Sequence, residues 1–271
     1  MGVARHVRRF APRVWFYFKC LRYKFYKGEP EIWLIGQLVP NGKLALDVGS
    51  SIGIFSREMA RRANRVVAFE ANPSVAAFAR RVAPCGVEII NVALSSTDGT
   101  ATLRIPLSRR SDTMDDLATI EPKNPLSFDQ VVEKEVRLTQ LDAFNFTDCG
   151  FIKIDTEGHE EAVLSGATHL IAAQRPIMLI ELDETFNPGI FVRVTERLAQ
   201  LAYSAYALSG TRLRPATAAD AQGQAISFIF LPAEAKEKLL SSFAVPHGLR
   251  IREAIYAARQ ARRRLRRRAA S

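Results

Sequence analysis

Short apolar runs alternate with helix-period segments along most of the chain. The runs at 44–47, 65–70, 87–92, 151–155 and 176–181 read as strands, and the segments 54–62, 74–82 and 160–173 between them repeat their apolar residues at helical spacing. That alternation is the signature of βαβ units and a largely parallel sheet. A helix over 31–38 comes before the first strand and is ended by Pro40-Asn41-Gly42, a turn signal. Past Glu181 the pattern predicts a helix over 191–201 and two further apolar runs, 203–208 and 225–231. The stretch joining those two runs contains Gly210, Pro215 and Gly223 and is too short for a crossover helix, so the pair reads as an antiparallel hairpin. The expected fold class is therefore α/β: a mostly parallel seven-stranded sheet with one antiparallel strand and helices on both faces.

Residues 99–139 break the alternation. They give a β-like piece over 100–106, a polar stretch over 108–123 and a second β-like piece over 131–138. An insertion of this length between sheet strands is more often a functional lid than a plain connector. The expected organisation is an N-terminal arm with a cap helix over 1–40, a main domain over 41–232 that includes this insertion, and a C-terminal helix and tail over 233–271.

The 271 residues carry a formal net charge of +10, which is unevenly spread. Residues 1–27 hold eight Lys/Arg and no acid, residues 250–271 hold nine Arg against Glu253 alone, and the body between them is net −6. The basic character belongs to two arms. The first arm is also aromatic, with Trp15, Phe16, Tyr17, Phe18 and Tyr23 among its cations, and suits either an anionic membrane surface or a cap packed across the sheet edge. Arg262 to Arg268 read as a solvated tail or as a contact to anionic lipid or nucleic acid. No apolar run approaches the roughly 18 to 20 residues of a membrane span, and Lys19 interrupts any secretory apolar region, so the expected location is cytoplasmic, with a peripheral membrane association open. Cys20, Cys85 and Cys149 are odd in number and outside any CxxC spacing, which suggests neither a disulfide framework nor a zinc site.

The most informative stretch is Asp47-Val48-Gly49-Ser50-Ser51-Ile52-Gly53, between the first strand and a helix. Glycines let the chain turn tightly and let a ligand approach the main chain, while the acid accepts hydrogen bonds. The spacing Gly49-x-x-x-Gly53 differs from the GxGxxG of a dinucleotide site and resembles the glycine loop of class I S-adenosylmethionine methyltransferases. There the acid receives the cofactor's ammonium. Glu70 ends the second strand where a carboxylate holds a ribose diol, and Asn91 ends the third, where an amide or backbone groups can read an adenine edge. Farther on, Ile152-Lys153-Ile154-Asp155-Thr156-Glu157-Gly158-His159-Glu160 places several titratable groups at the carboxyl edge of the sheet, with Lys153 and Asp155 on one strand face. With Glu181 from the neighbouring strand, Asp155 and Glu157 suit either a general base for a substrate hydroxyl or an oxygen-ligand site for a divalent metal such as Mg²⁺. Glu160 reads as a helix-start acid. His159 stands at the site mouth or caps the helix, His169 is structural, Cys149 is a small buried apolar group, and 109–114 lies where it can close over an acceptor.

These blocks together resemble the FkbM family of methyltransferases. The resemblance rests on Asp47 to Gly53, Phe69-Glu70-Ala71-Asn72-Pro73, Asn91-Val92-Ala93-Leu94, Ile152 to Glu160 and Pro176 to Glu181, and spans about residues 28–231. Ser50-Ser51 departs from the family's common Ala-Asn, so Ser51 takes no family role. The resemblance implies a Rossmann-like class I fold and methyl transfer from S-adenosylmethionine to a hydroxyl of a carbohydrate, glycolipid or other natural-product acceptor. Asp47, Gly49, Ser50, Gly53, Glu70 and Asn91 would hold the cofactor. Asp155 would act as base or metal-assisted orienter, with Glu157, His159 and Glu181 lining the acceptor pocket. Two other readings share the fold: an RNA methyltransferase contacting phosphates through its basic arms, and a non-catalytic binding module. The fourth strand ends in Asp-Thr-Glu-Gly, unlike the Asn/Asp-Pro-Pro-aromatic motif of base N-methylation, and an acidic mouth repels phosphate, so nucleic acid is not the expected partner.

Overall fold

A computed structural model of the chain describes residues 7–108, 113–122, 124, 128, 130–185, 187–222 and 227–255. All five residues of β1 (Leu44–Val48) are buried, between parallel neighbours β2 (Arg65–Phe69) and β7 (Cys149–Ile154). A strand covered on both faces loses polar alternation, which is why this segment reads as a near-continuous apolar run. β3 (Val87–Ile90) extends the parallel sheet beyond β2, and β8 (Ile177–Glu181) extends it beyond β7. β11 (Ser227–Pro232) then runs antiparallel between β8 and β9 (Tyr203–Ser209). From the edge strand β10 (Arg212–Pro215), the order is β10-β9-β11-β8-β7-β1-β2-β3. The seven expected strands are all present with the expected reversed one, and the runs 203–208 and 225–231 do pair antiparallel. An eighth strand, β10 (Arg212–Pro215), folds back on the outer edge of β9. It is short and polar, with only Leu213 apolar, so its sequence carried no strand signal. Residues 99–139 supply most of a second sheet, in which β4 (Ala93–Leu94) and β5 (Gly99–Pro106) flank β6 (Val131–Thr139).

Alternation along the strands splits the core in two. Leu46, Val48, Phe69, Ile152 and Ile180 face one layer, and Ala45, Val66, Phe151 and Leu179 face the other. The first layer is covered by α5 (Glu160–Ser165), α6 (Thr168–Gln174) and α7 (Ile190–Ala199), with α8 (Ala218–Ala221) at its margin. The second is covered by α1 (Pro12–Arg22), α2 (Ile35–Leu38), α3 (Ile54–Met59) and α9 (Ala233–Ser242). α4 (Pro73–Val82) packs beside β3. Phe16 and Cys20 of α1 share their cluster with Ala45 and Phe151, so the N-terminal segment is part of the same core as the sheet.

The helix expected over 160–173 is two. A side chain at Gly166 would lie 2.0 Å from the carbonyl oxygen of Ser95, so the chain turns there around that backbone. Asp142 then caps the second piece, accepting from the N–H groups of His169 and Leu170, both at 2.9 Å. The helix expected over 31–38 is likewise a 3₁₀ turn, Pro30–Trp33, followed by the single turn of α2.

That 3₁₀ turn carries Glu31, which is buried. Burial, reinforced by Glu29 and opposed by Arg252, pushes it from 4.5 up to about 8. Its folded value lies above its unfolded one, so between pH 4.5 and about 8 the unfolded chain releases a proton that the folded chain keeps, and stability falls as pH rises. Glu31→Gln should flatten this slope by about 1.4 kcal/mol per pH unit. Denaturant melts from pH 5 to 8 check this, and the variant should be the more stable protein at pH 8. An unchanged slope would show that Glu31 does not hold its proton.

Candidate active site

Successive chain tips meet at one edge because the registers align. Val48 lies opposite both Phe69 and Ile154, and Ile154 opposite Ile180, so the residues that follow β1, β2, β7 and β8 emerge together. The chain proceeds from β1 outward to β3 on one side and returns to β7 on the other, which places a crevice at the carboxyl ends of the central strands. A cavity of about 340 Å³ opens there. Asp47, Gly49, Ser50, Glu70, Asp155, Glu157, His159 and Glu181 all line it.

The loop after β1 is held from below. Gly49 and Ser50 both donate their N–H to the Phe69 carbonyl at 3.0 Å. Gly49 has φ +76°, and a Cβ there would lie 1.7 Å from the Asp155 carbonyl oxygen, so the two strand tips are in backbone contact. Asp47 is buried; burial raises its pKa, while Lys153 and a hydrogen bond from the Ser56 hydroxyl oppose this. Its Oδ1 and the Ser50 hydroxyl are buried with no partner among the described residues. Both residues line the cavity, so a bound group there can supply the missing hydrogen-bond partners.

Glu70 turns back on the loops around it. Oε2 accepts from the Ser51 N–H at 2.9 Å and Oε1 from the Asn72 N–H at 2.7 Å, while burial still pushes the group up to about 7. Asn72 and Pro73 start α4, with Asn72 Oδ1 capping the Ser74 N–H at 3.1 Å. Two candidates do not reach the wall. Asn91 Nδ2 donates to the carbonyls of Glu70 and Ala71 at 2.7 and 2.9 Å, so its amide braces the β2 loop. Gly53, at φ +85°, is the N-cap of α3 and donates its N–H to Ser50.

Beside the loop, at the tip of the neighbouring strand β7, Lys153 is buried, and its ammonium lies 2.6 Å from Asp155 Oδ2 and 4.6 Å from the Phe55 ring centroid. Burial alone would lower its pKa, but Asp155, Glu29 and Asp47 outweigh that and hold it up. Carboxylate oxygens of Asp155, Glu181 and Glu29 lie within 4.8 Å of one another. Burial, then Asp155 and Glu29, push Glu181 up to about 10. The expected trio was Asp155, Glu157 and Glu181, whereas the converging trio has Glu29 in place of Glu157. Glu157 sits at φ +52° with its carbonyl accepting from Thr119 and Asn124, which anchors it to the insertion. Burial followed by Asp155 pushes it up to about 8.

His159 bridges Ser95 Oγ at 2.9 Å and Glu121 Oε2 at 3.2 Å, and so ties the strand β7 loop to the insertion at the cavity wall. Glu160 accepts from the N–H groups of Thr156 and Gly158 and from the Thr156 hydroxyl, which is the loop-capping role of a helix-start acid. His169 is exposed, with Nδ1 3.4 Å from Asp142 Oδ2, and Cys149 is buried with its thiol pushed up to about 12 by burial. Arg109 to Asp112 and the Arg262 to Arg268 tail lie outside the described residues.

Several cavity residues carried no sequence signal. Glu29 follows a Gly and precedes a Pro, a spacing that reads only as a break, yet it accepts from the Tyr23 hydroxyl and from Ser227 Oγ at 3.1 Å and faces Asp155. Lys19 and Tyr23 of the N-terminal segment also line the cavity. Asp115 and Asp116, on a 3₁₀ turn Asp115–Leu117, roof the Glu70 side: Asn72 Nδ2 donates to Asp115 at 3.0 Å and Ser51 Oγ to Asp116 at 3.1 Å.

A doubly wound sheet with a glycine loop after its first strand and an acid at its second defines a Rossmann-like α/β protein with its crevice at the carboxyl ends of the strands. The FkbM methyltransferase domain matches residues 47–205, and the chain belongs to that family. Among solved structures it is similar to a FkbM methyltransferase from Methylobacillus flagellatus KT, at 14% identity and TM-score 0.47, over 84% of this chain and 60% of that one. It thus spans less than two thirds of that protein's length. Similar too are a precorrin-6y C5,15-methyltransferase from Geobacter metallireducens GS-15 (12% identity, TM-score 0.42, 76% of this chain and 88% of that one) and a TehB-like S-adenosylmethionine-dependent methyltransferase from Corynebacterium glutamicum (14%, 0.39, 83% and 96%). No curated protein matches the chain. No helix among the described residues is long and apolar enough to cross a membrane.

Proposed function

We propose that the protein methylates a hydroxyl of a carbohydrate, glycolipid or other natural-product acceptor, with Asp155 as the base. The observation that carries this reading is the contact of Gly49 with Asp155: the glycine loop and the acidic trio share one cavity wall, so cofactor and proton acceptor would lie side by side. Asp47 Oδ1 and the Ser50 hydroxyl fit the charged methionine end of the cofactor because both are buried without partners among the described residues. Glu70 would hold the ribose. S-adenosylmethionine, when bound, supplies an electrophilic methyl group.

Lys153 occupies Asp155 Oδ2, which leaves Oδ1 to accept the hydroxyl proton as the acceptor oxygen becomes nucleophilic. Glu181, held protonated at neutral pH, presents an O–H that orients the same oxygen. In-line placement of that oxygen would account for much of the rate. The trio is close enough to hold a divalent cation, but the Lys153 ammonium already supplies positive charge there. We therefore read the cluster as metal-independent.

Incubation with methyl-labelled S-adenosylmethionine and an extract of carbohydrate and lipid acceptors tests the reading. The expected product carries label in an alkali-stable ether, formed equally in the presence of a chelator. Label in RNA, or transfer that stops on chelation and returns with Mg²⁺, would replace it.

A further inference from the structure

α1 is apolar on both of its sides. Phe16 and Cys20 enter the core, and Trp15 stands edge-on to Phe78 with ring centroids 5.6 Å apart. On the outer side Val14, Tyr17 and Phe18 are 50%, 48% and 64% exposed. Their spacing of three and four residues puts them on one stripe, which Leu21 continues. A helix with apolar residues on two opposite sides normally has apolar material against both, and the described residues cover only the inner side of this one.

The charge beside the stripe says what covers it. Arg13 and Arg22 are exposed at its flanks and make no ion pair among the described residues. Residues 1–27 contain no acid at all. We propose that the outer face of α1 docks on an anionic bilayer surface, with Val14, Tyr17 and Phe18 at the acyl boundary and Arg13 and Arg22 at the lipid phosphates. A second copy of the chain would bring two cationic segments together, and a nucleic acid would engage the arginines while leaving the apolar stripe in water. Lys19 and Tyr23, at the other side and end of this segment, line the cavity, so docking would set the cavity beside the bilayer surface. This inference concerns where the enzyme works and does not depend on the acceptor.

The test is flotation of the full chain with vesicles of phosphatidylcholine alone and of phosphatidylcholine mixed with phosphatidylglycerol. The expected result is binding to the anionic vesicles only. Val14→Glu combined with Phe18→Glu should weaken it by about tenfold or more, as expected when apolar anchors are lost from an interfacial helix. Because both side chains are exposed, the melting temperature should hold. Replacing Arg262, Arg263, Arg264, Arg266, Arg267 and Arg268 by Ser should leave most of the binding. Phe18→Trp gives a second readout, a blue shift of emission on anionic vesicles. Equal flotation of the double Glu variant, binding carried wholly by the tail arginines, an emission maximum that does not move, preference for an RNA oligomer over the vesicles, or a dimer that the Glu changes dissolve in the absence of lipid would each overturn the proposal.

Discussion

Asp155→Asn should lower turnover by about 10²- to 10⁴-fold, the usual contribution of a positioned general base, while leaving S-adenosylmethionine affinity within a few-fold. The substitution keeps shape and keeps an oxygen for the Lys153 ammonium, which now sits 2.6 Å from Oδ2. It removes the capacity to take a proton. Cofactor affinity should survive because the proposed cofactor contacts are held by other groups, Asp47 by the Ser56 hydroxyl, the Gly49 loop by the Phe69 carbonyl and Glu70 by the N–H groups of Ser51 and Asn72, and none of these hydrogen bonds involves the Asp155 side chain. Calorimetry with the cofactor and a single-turnover assay separate the two effects. Parallel loss of both would move Asp155 into the cofactor site, and full turnover would return the proton-accepting role to another member of the trio.

The central strands were legible in the sequence because burial on both faces removes polar alternation from β1 and β7, leaving short apolar runs whose length and flanking turn signals fit covered strands. The strand tips were legible for the same reason: once the runs are in order, the residues that follow them must share one edge, and Asp47, Glu70, Asp155, Glu157, His159 and Glu181 do line one cavity. What the sequence hid depends on contacts between distant segments. Glu29 reaches the cavity because α1 and the 3₁₀ turn after it pack on the sheet through Phe16, Cys20 and Ile32, and no local periodicity encodes that approach. Asn91 has the residue type of an adenine reader, but two backbone carbonyls within reach claim its amide. The break at Gly166 depends on the Ser95 backbone, some seventy residues earlier, and its local sequence reads as continuous helix.

Gly49→Ala should cost about 3 kcal/mol or more of stability, because two separate penalties meet at that position. The first is conformational: at φ +76° a side chain is strained by roughly 1–2 kcal/mol. The second is steric, since the new methyl would sit 1.7 Å from the Asp155 carbonyl oxygen, a backbone atom that cannot rotate away. Gly42→Ala isolates the first penalty. Gly42 has φ +75°, but a methyl there would have nothing within 4 Å, so it should lose only the conformational part. The difference between the two variants in denaturant melts measures how tightly the β1 and β7 tips are pressed together. If the chain relieves the overlap by moving the Asp155 backbone, cofactor affinity and turnover should fall together in Gly49→Ala, in contrast to the split expected for Asp155→Asn. Equal stability of the two glycine variants would mean that the tips part easily, and the close pairing of cofactor loop and proton acceptor would then lose its physical basis.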